Sequence, residues 1–434
     1  MSELQDQAVE LLQQLIRANT VNPPGNEREV QELLAGRLGD AGFECELLGE
    51  EAERPNLVAR LPGSGEGPTL CLLGHTDTVL ADPDDWSHDP WSGDLADGCV
   101  WGRGALDMKG QVAAEVAGAT ALAREGWRPA RGELLVVAVV DEETGGARGA
   151  QWLTETHPDK VRCDMLINEG GGNVFELEGR RLYGVCCAEK GVFRFTLTTE
   201  GVAGHASIPR MGDNALLKMA PLLERLAERQ PELDLGDEPR ALLESLSGGN
   251  GELDVDGAME RLRSADPLLA LLIEPTLGVS VTPTRIRASE KINVIPARAH
   301  LQVDCRVPPG MGEEETRRRV EQLLGPDGYR IEFDEKVVGN RSAMDSPLME
   351  EIGGWIGENA DGAELMPMML PGFTDSRWFR EAFPDCVAYG FFPHLHMTMN
   401  QTAPLIHGAD ERIDVRDLGF AARFFHDLPR RLLG

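Results

Sequence analysis

The run Leu134-Leu135-Val136-Val137-Ala138-Val139-Val140 stops abruptly at Asp141-Glu142-Glu143-Thr144-Gly145-Gly146. Seven apolar residues, four of them β-branched, are too few for a membrane span and read as a strand covered on both faces of a sheet. Ligands of open α/β sheets collect outside the carboxyl ends of the strands, and Glu142 and Glu143 arrive there. Adjacent side chains at a strand end diverge, so one glutamate can address a metal and the other a water or substrate.

At 434 residues the chain exceeds the ~250 to 300 at which one core stops growing, so two domains are expected. A net charge of −31 repels nucleic acid and anionic membrane surfaces and argues against both as partners. The eight cysteines show no paired zinc spacing and mostly sit in apolar runs, as reduced thiols do. Met1 leads directly into an amphipathic helix (Val9, Leu11, Leu12, Leu15, Ile16) with no signal-peptide pattern, and no apolar run approaches the ~20 residues of a spanning helix. The expectation is a soluble, cytoplasmic protein.

Strands are predicted at about 44–48, 56–61, 69–74 and 165–168, with helices at about 27–41 and 108–126. Residues 80–104, rich in Asp, Trp, Gly and Pro, read as a long structured loop, which in a compact domain is usually functional. Near Glu189 the style changes. Phe193, Phe195 and Leu197 alternate with Arg194, Thr196 and Thr198, the mark of a sheet with one covered face. Helices at about 214–228 and 313–324 with strands near 277–288, 299–307 and 329–333 complete a βαββαβ order, a ferredoxin-like α+β unit. Residues 229–275, acidic and Gly-rich, read as an insertion within it. After Glu335 a helix around 348–359 and strand-like residues at 387–392 return to the earlier style.

Four further pieces join the glutamates: His75 and Asp77 in Gly74-His75-Thr76-Asp77-Thr78-Val79, Asp107 in Gly102-Arg103-Gly104-Ala105-Leu106-Asp107-Met108-Lys109-Gly110, Glu169 after Asn168, and His407 near the C terminus. His75 and Asp77 share one face if extended, and a metal-bound histidine is normally steadied by a neighbouring carboxylate. Together these form a histidine and carboxylate set suited to zinc.

These motifs, with Gly204-His205-Ala206-Ser207-Ile208-Pro209 and Asn293-Val294-Ile295-Pro296, run in order across almost the whole chain. They resemble those of the di-zinc amidohydrolase and metallopeptidase family of succinyl-diaminopimelate desuccinylase, acetylornithine deacetylase, aminoacylase and glutamate carboxypeptidase. The resemblance implies an α/β fold. Its catalytic domain, residues 1–188 and 337–434, would be zinc-exopeptidase-like, a mixed, mostly parallel sheet with helices on both faces. Residues 189–336 would form the inserted ferredoxin-like lid and dimerisation domain.

Carried over position by position, the resemblance gives His75 and Glu169 to one zinc, Glu143 and His407 to the other, and Asp107 to both, with a cis peptide after Asp107. Co2+ or Mn2+ are expected substitutes for the two Zn2+. Glu142 becomes the general base toward a metal-bridging hydroxide, and Asp77 supports the site. His205 would reach the active site of a partner in a homodimer and stabilise the oxyanion. Asn293 and Arg306 would contact substrate, as would Gly372 and Thr374 in a loop that reads Gly-Phe-Thr where the family more commonly has Gly-Gly-Thr. The implied reaction cleaves an amide or peptide bond adjacent to a free carboxylate of a small molecule. Hydrolysis of a carbamoyl group fits the same motifs. A non-catalytic binding protein on this fold is disfavoured by the intact Glu142 and five ligand positions. His394 and His396 offer a further pair, weighted toward a structural role.

Overall fold

The Glu133–Val139 strand lies third from one edge of a mixed sheet, between Asn56–Pro62, which it meets antiparallel, and Thr69–His75, which it meets parallel. The protein is described by a computed structural model that covers residues 2–228, 232–246 and 253–434. Among these residues nine strands form the large sheet. Its centre runs parallel through Glu133–Val139, Thr69–His75, Met165–Asn168 and Val387–Gly390. Arg180–Glu189 and the edge strand Ala363–Leu370 extend it on one side. Leu134, Val136 and Ala138 face one apolar cluster while Leu135, Val137 and Val139 face another, so the strand is covered on both faces, as its unbroken apolar run predicts.

One face is closed by Glu3–Arg17, Lys109–Arg124, Pro347–Asn359 and Val415–Leu433. Gly118 lets two of these helices meet closely, because a Cβ there would lie 2.7 Å from the Ala422 carbonyl oxygen. Trp355 packs edge-on against Phe420 and Phe424 at ring distances of 4.9 and 5.2 Å. The shorter helices Ala150–Thr156 and Ser376–Ala382 cover the opposite face. No helix among the described residues is long and apolar enough to cross a membrane, and all eight cysteines are free thiols.

The smaller sheet orders Ser280–Arg287, Arg298–Val307, Phe195–Glu200 and Arg330–Phe333 antiparallel, the arrangement of a ferredoxin-like unit. Phe193, Phe195 and Leu197 are buried in its own core with Met219, Leu301 and Val320.

The 229–275 stretch interrupts this unit in sequence but not in space. Residues 229–231 and 247–252 lie outside the described residues. The helices Asp237–Leu246, Val255–Ala265 and Pro267–Ile273 pack instead on the large sheet, burying Leu242, Leu262, Leu269 and Ile273 against Phe175, Leu182 and Met366. Their apolar faces find no counterpart in the smaller sheet, whose covered face is already filled by its own two helices.

Candidate metal centre

Three adjacent parallel strands end at the same rim of the large sheet. His75 is the last residue of Thr69–His75 and pairs in register with Val139, so it stands beside the turn that carries Glu142 and Glu143. Glu169 follows the Met165–Asn168 strand on its other side. The turn is entered through Asp141 at a left-handed φ of 72° and leaves through Gly145 at 107°. The buried Asp141 carboxylate sustains this conformation by accepting from Asn22 Nδ2 (3.2 Å), Arg54 Nη1 (3.1 Å) and Thr144 Oγ1 (2.8 Å). Asp77 accepts from Asn22 Nδ2 (2.8 Å) and from the backbone N–H groups of Glu142 and Glu143, each at 3.2 Å, fixing the two glutamates to the His75 strand.

Asp107 and His407 arrive from loops. Strand Arg412–Asp414 pairs antiparallel with Cys99–Trp101, bringing the C-terminal loop against the Asp107 loop. The fully buried Glu411 then accepts from Arg103 Nη1 (2.7 Å) and from the N–H groups of Gly104 (3.0 Å), Leu106 (2.7 Å) and Asp107 (3.0 Å). The Asp107–Met108 peptide bond is cis.

Two groups of side chains converge. His75 Nε2 lies 3.1 Å from Asp107 Oδ1 and 3.8 Å from Glu169 Oε2. His407 Nε2 lies 3.1 Å from Asp107 Oδ2 and 3.3 Å from Glu143 Oε2. Within each group the candidate ligand atoms all fall within 4.8 Å of one another, and Asp107 belongs to both. His75 Nδ1 is 3.0 Å from the Asp77 carbonyl oxygen, which can only accept, so Nδ1 donates there and Nε2 is the nitrogen that faces Asp107 and Glu169.

Residues 71–431 match the profile of peptidase family M20/M25/M40. The chain belongs to this family. It is 34% identical over 442 residues to the succinyl-diaminopimelate desuccinylase of Paracoccus denitrificans, with 99% of each chain covered. Its fold is similar to an M20 family metallo-carboxypeptidase of Sulfolobus solfataricus (TM-score 0.74, 17% identity, 100% of this chain and 99% of that one). It is also similar to a dinuclear metal binding M20 peptidase of Bacillus subtilis (TM-score 0.62, 13% identity, 99% and 98%). This M20 protein is accordingly a metal-dependent hydrolase of amide bonds.

The residues present suit divalent cations. Glu143 Oε1 is buried and meets no hydrogen-bond partner among the described residues, and the other converging carboxylate oxygens face histidine nitrogens or one another. Burial, followed by repulsion from Asp107, pushes the Glu169 carboxyl up to about 7. Burial and the Glu169 charge push Glu142 well above the carboxylate range. Burial also opposes ionisation of Asp107, but hydrogen bonds from His407 and His75 overcome it and hold that carboxyl below its ordinary range. Such a cluster is short of positive charge, which metal ions supply.

Asp107, Glu142, Glu143, Glu169 and His407 line a cavity of about 340 Å³, and His75 lies buried behind them. Thr374 lines the same cavity, but its N–H and hydroxyl both donate to Glu189, at 3.1 and 2.7 Å. Gly372 is in the preceding turn and does not line the cavity. Three expected residues stand apart within one chain. His205 is exposed on a two-stranded ribbon, Gly204–His205 against Val294–Ile295, with its Nδ1 2.7 Å from Ser207 Oγ. Asn293 is exposed beside it, and Arg306 is held by Asp304 at 2.7 Å on the smaller sheet. His394 is buried on the cavity wall and His396 is tied by its N–H to Asp417 at 2.7 Å; neither joins a metal-ligating group among the described residues.

Sequence reasoning missed Asn22, Arg54, Asp141 and Glu411, the buried residues that fix the ligand loops. Asn22 stands in the breaker cluster Asn22-Pro23-Pro24 and Glu411 four residues after His407, but only tertiary contact identifies what they hold.

Proposed function

We propose that the protein hydrolyses an amide or peptide bond next to a free carboxylate, as an N-acyl amino acid deacylase or exopeptidase, using two Zn2+ ions. His75, Glu169 and Asp107 would hold one ion and Glu143, His407 and Asp107 the other. The observation that carries this reading is the two-sided contact of Asp107, one oxygen toward each histidine. When bound, the two cations supply Lewis acidity toward the scissile carbonyl and toward water.

Glu142 lines the same cavity and lies outside both ligand groups, which leaves its carboxylate free to move protons. It takes a proton from the attacking water and returns it to the leaving nitrogen. Asp77 positions the site through His75 and the Glu142 turn.

The division into a catalytic domain of 1–188 and 337–434 and a lid of 189–336 is supported by the two separate sheets and their separate cores. The 237–273 helices belong with the catalytic sheet by their packing. A homodimer is supported by the apolar side chains exposed on the segments around His205, Val202, Ile208, Met211 and Ile292, an arrangement that marks an interaction surface. In that dimer His205, Asn293 and Arg306 serve the partner's cavity. Net charge and free thiols favour a cytoplasmic setting.

A panel of N-acyl amino acids and dipeptides offered to the zinc- or cobalt-loaded protein tests the reading. Metal-dependent release of a free amino acid is the expected result. No cleavage of any member by protein carrying two metal equivalents overturns it.

A further inference from the structure

Where the chain first passes from the large sheet to the smaller one, a single residue, Lys190, lies between them. Glu189 ends the Arg180–Glu189 strand, and Gly191–Val192 already pairs with Arg298–Val307 of the smaller sheet. The chain returns alongside. Val337 and Val192 exchange backbone hydrogen bonds at 2.8 Å each, and the Asn340 carbonyl accepts from the Glu189 N–H at 3.0 Å. Gly191 makes the close approach possible, because a Cβ there would lie 2.5 Å from the Val337 carbonyl oxygen.

The Glu189 carboxylate points from this crossing to Thr374, on the cavity wall. It accepts from the Thr374 N–H at 3.1 Å, from the Thr374 hydroxyl at 2.7 Å and from Arg380 Nη1 at 3.1 Å. Arg380 is itself fixed, its other nitrogens donating to Ser342 Oγ (3.2 Å) and to the Ala388 carbonyl (2.7 Å). Thr374 Oγ1 in turn accepts from Asn168 Nδ2 and from the Ser376 N–H, each at 3.2 Å. A hydroxyl has one proton to give and two lone pairs, so its whole capacity is used within the protein. Asn168 Nδ2 also donates to Ser376 Oγ at 3.1 Å. Asn168 is the last residue of the Met165–Asn168 strand, and Glu169 is the next. Asn168, Glu189, Thr374 and Ser376 are all buried, so water does not compete for these bonds.

The charge on Glu189 matters to this arrangement. Three donors converge on its two oxygens, and an amide of the same shape would set its own N–H group against at least one of them.

We propose that Glu189 is a positioning residue for the metal centre: acting through Thr374 and Asn168, it fixes the strand end that presents Glu169 and so sets the affinity of the His75–Asp107–Glu169 position. The inference rests on the reading of those three residues as one metal position. A group that orients a ligand without touching the metal raises affinity by holding the ligand in its binding geometry. The Glu143–His407–Asp107 position has other supports, Asp77 behind the Glu143 turn and Glu411 behind the Asp107 loop. The effect of Glu189 is therefore confined to one ion.

The test reads the two positions separately. In His407→Ala protein only the His75 position keeps its full ligand set, and in His75→Ala protein only the His407 position does. Each full-length, chelator-stripped protein is titrated with Zn2+ by calorimetry against a competing chelator, alone and with Thr374→Val or Glu189→Gln added. Thermal melting of every variant is recorded beside it. Thr374→Val keeps the side-chain shape and the Glu189–Arg380 pair, so it reports even where Glu189→Gln lowers stability. In the His407→Ala background both substitutions should weaken Zn2+ binding about 10- to 100-fold. Thr374→Ser, which keeps the hydroxyl, should stay within about twofold of that background. In the His75→Ala background neither Thr374→Val nor Glu189→Gln should change the affinity by more than about twofold. Equal weakening in both backgrounds, or lowered melting temperatures with neither affinity changed, overturns the positioning role and leaves the ligand assignment standing. Retention of both ions at wild-type affinity by His75→Ala and His407→Ala overturns the ligand assignment, and this inference with it.

Discussion

The two carboxylate oxygens of Asp107 face different histidines, Oδ1 at 3.1 Å from His75 Nε2 and Oδ2 at 3.1 Å from His407 Nε2. One residue therefore couples the two candidate metal positions. Asp107→Ala should release both metals, whereas His75→Ala and His407→Ala should each weaken mainly one. Metal analysis of the purified variants checks this, and an Asp107→Ala protein that keeps one equivalent at wild-type affinity contradicts the shared-ligand assignment.

Glu411 holds the Asp107 loop from behind and neutralises Arg103, both side chains being buried. Glu411→Ala leaves a buried guanidinium without its partner, which costs about 3–5 kcal/mol. It also frees the loop, so metal affinity should fall by about 10- to 100-fold. Denaturant unfolding and metal titration measure the two effects. A variant within about 1 kcal/mol of wild type would assign Glu411 no structural weight.

Glu115 gives a pH-dependent prediction away from the ligands. It is buried within the Lys109–Arg124 helix, and burial raises its carboxyl well above the ordinary range, with the Gln111 hydrogen bond at 2.9 Å only partly offsetting it. A raised folded-state pKa means the stability this group contributes is present below its unfolded value and is lost as pH rises toward the folded one. Glu115→Gln removes that loss. Its melting temperature should exceed wild type's by a margin that widens from about pH 5 to about pH 8; a margin independent of pH contradicts the assignment.

How much of this was legible in the sequence depends on where the information sits. The central strands were readable because short apolar runs end in His75, Glu142-Glu143 and Asn168-Glu169, and the candidate ligands sit at those ends. The Ala363–Leu370 strand was not foreseen, since methionines and Pro367 disguise it and its stability comes from the Arg180–Glu189 neighbour. Val415–Leu433 was missed as well, with Pro429 inside its last turns. Asn22, Arg54 and Glu411 act only through contacts far along the chain, so no local pattern marks them. The 229–275 stretch was legible as an interruption, but its docking surface is chosen by which apolar faces remain uncovered after both sheets form.

The placement of His205 yields a complementation experiment. Its exposure on the ribbon beside apolar residues means that in one chain it touches no ligand group. His205→Ala should lose on the order of 10²- to 10³-fold in turnover with metal content unchanged. A heterodimer of His205→Ala and Glu142→Gln chains, co-expressed with different tags, should regain activity at one of its two sites. An inactive, fully metal-loaded heterodimer would remove the trans role of His205.

The most direct test of the central claim titrates chelator-stripped wild-type and Glu142→Gln proteins with Zn2+ while following bound metal and N-acyl amino acid hydrolysis together. Both proteins should bind two equivalents, and only the wild type should turn over, with the variant reduced by at least about 10²-fold. Full turnover by Glu142→Gln, or binding of a single equivalent by the fully active wild type, would contradict the account.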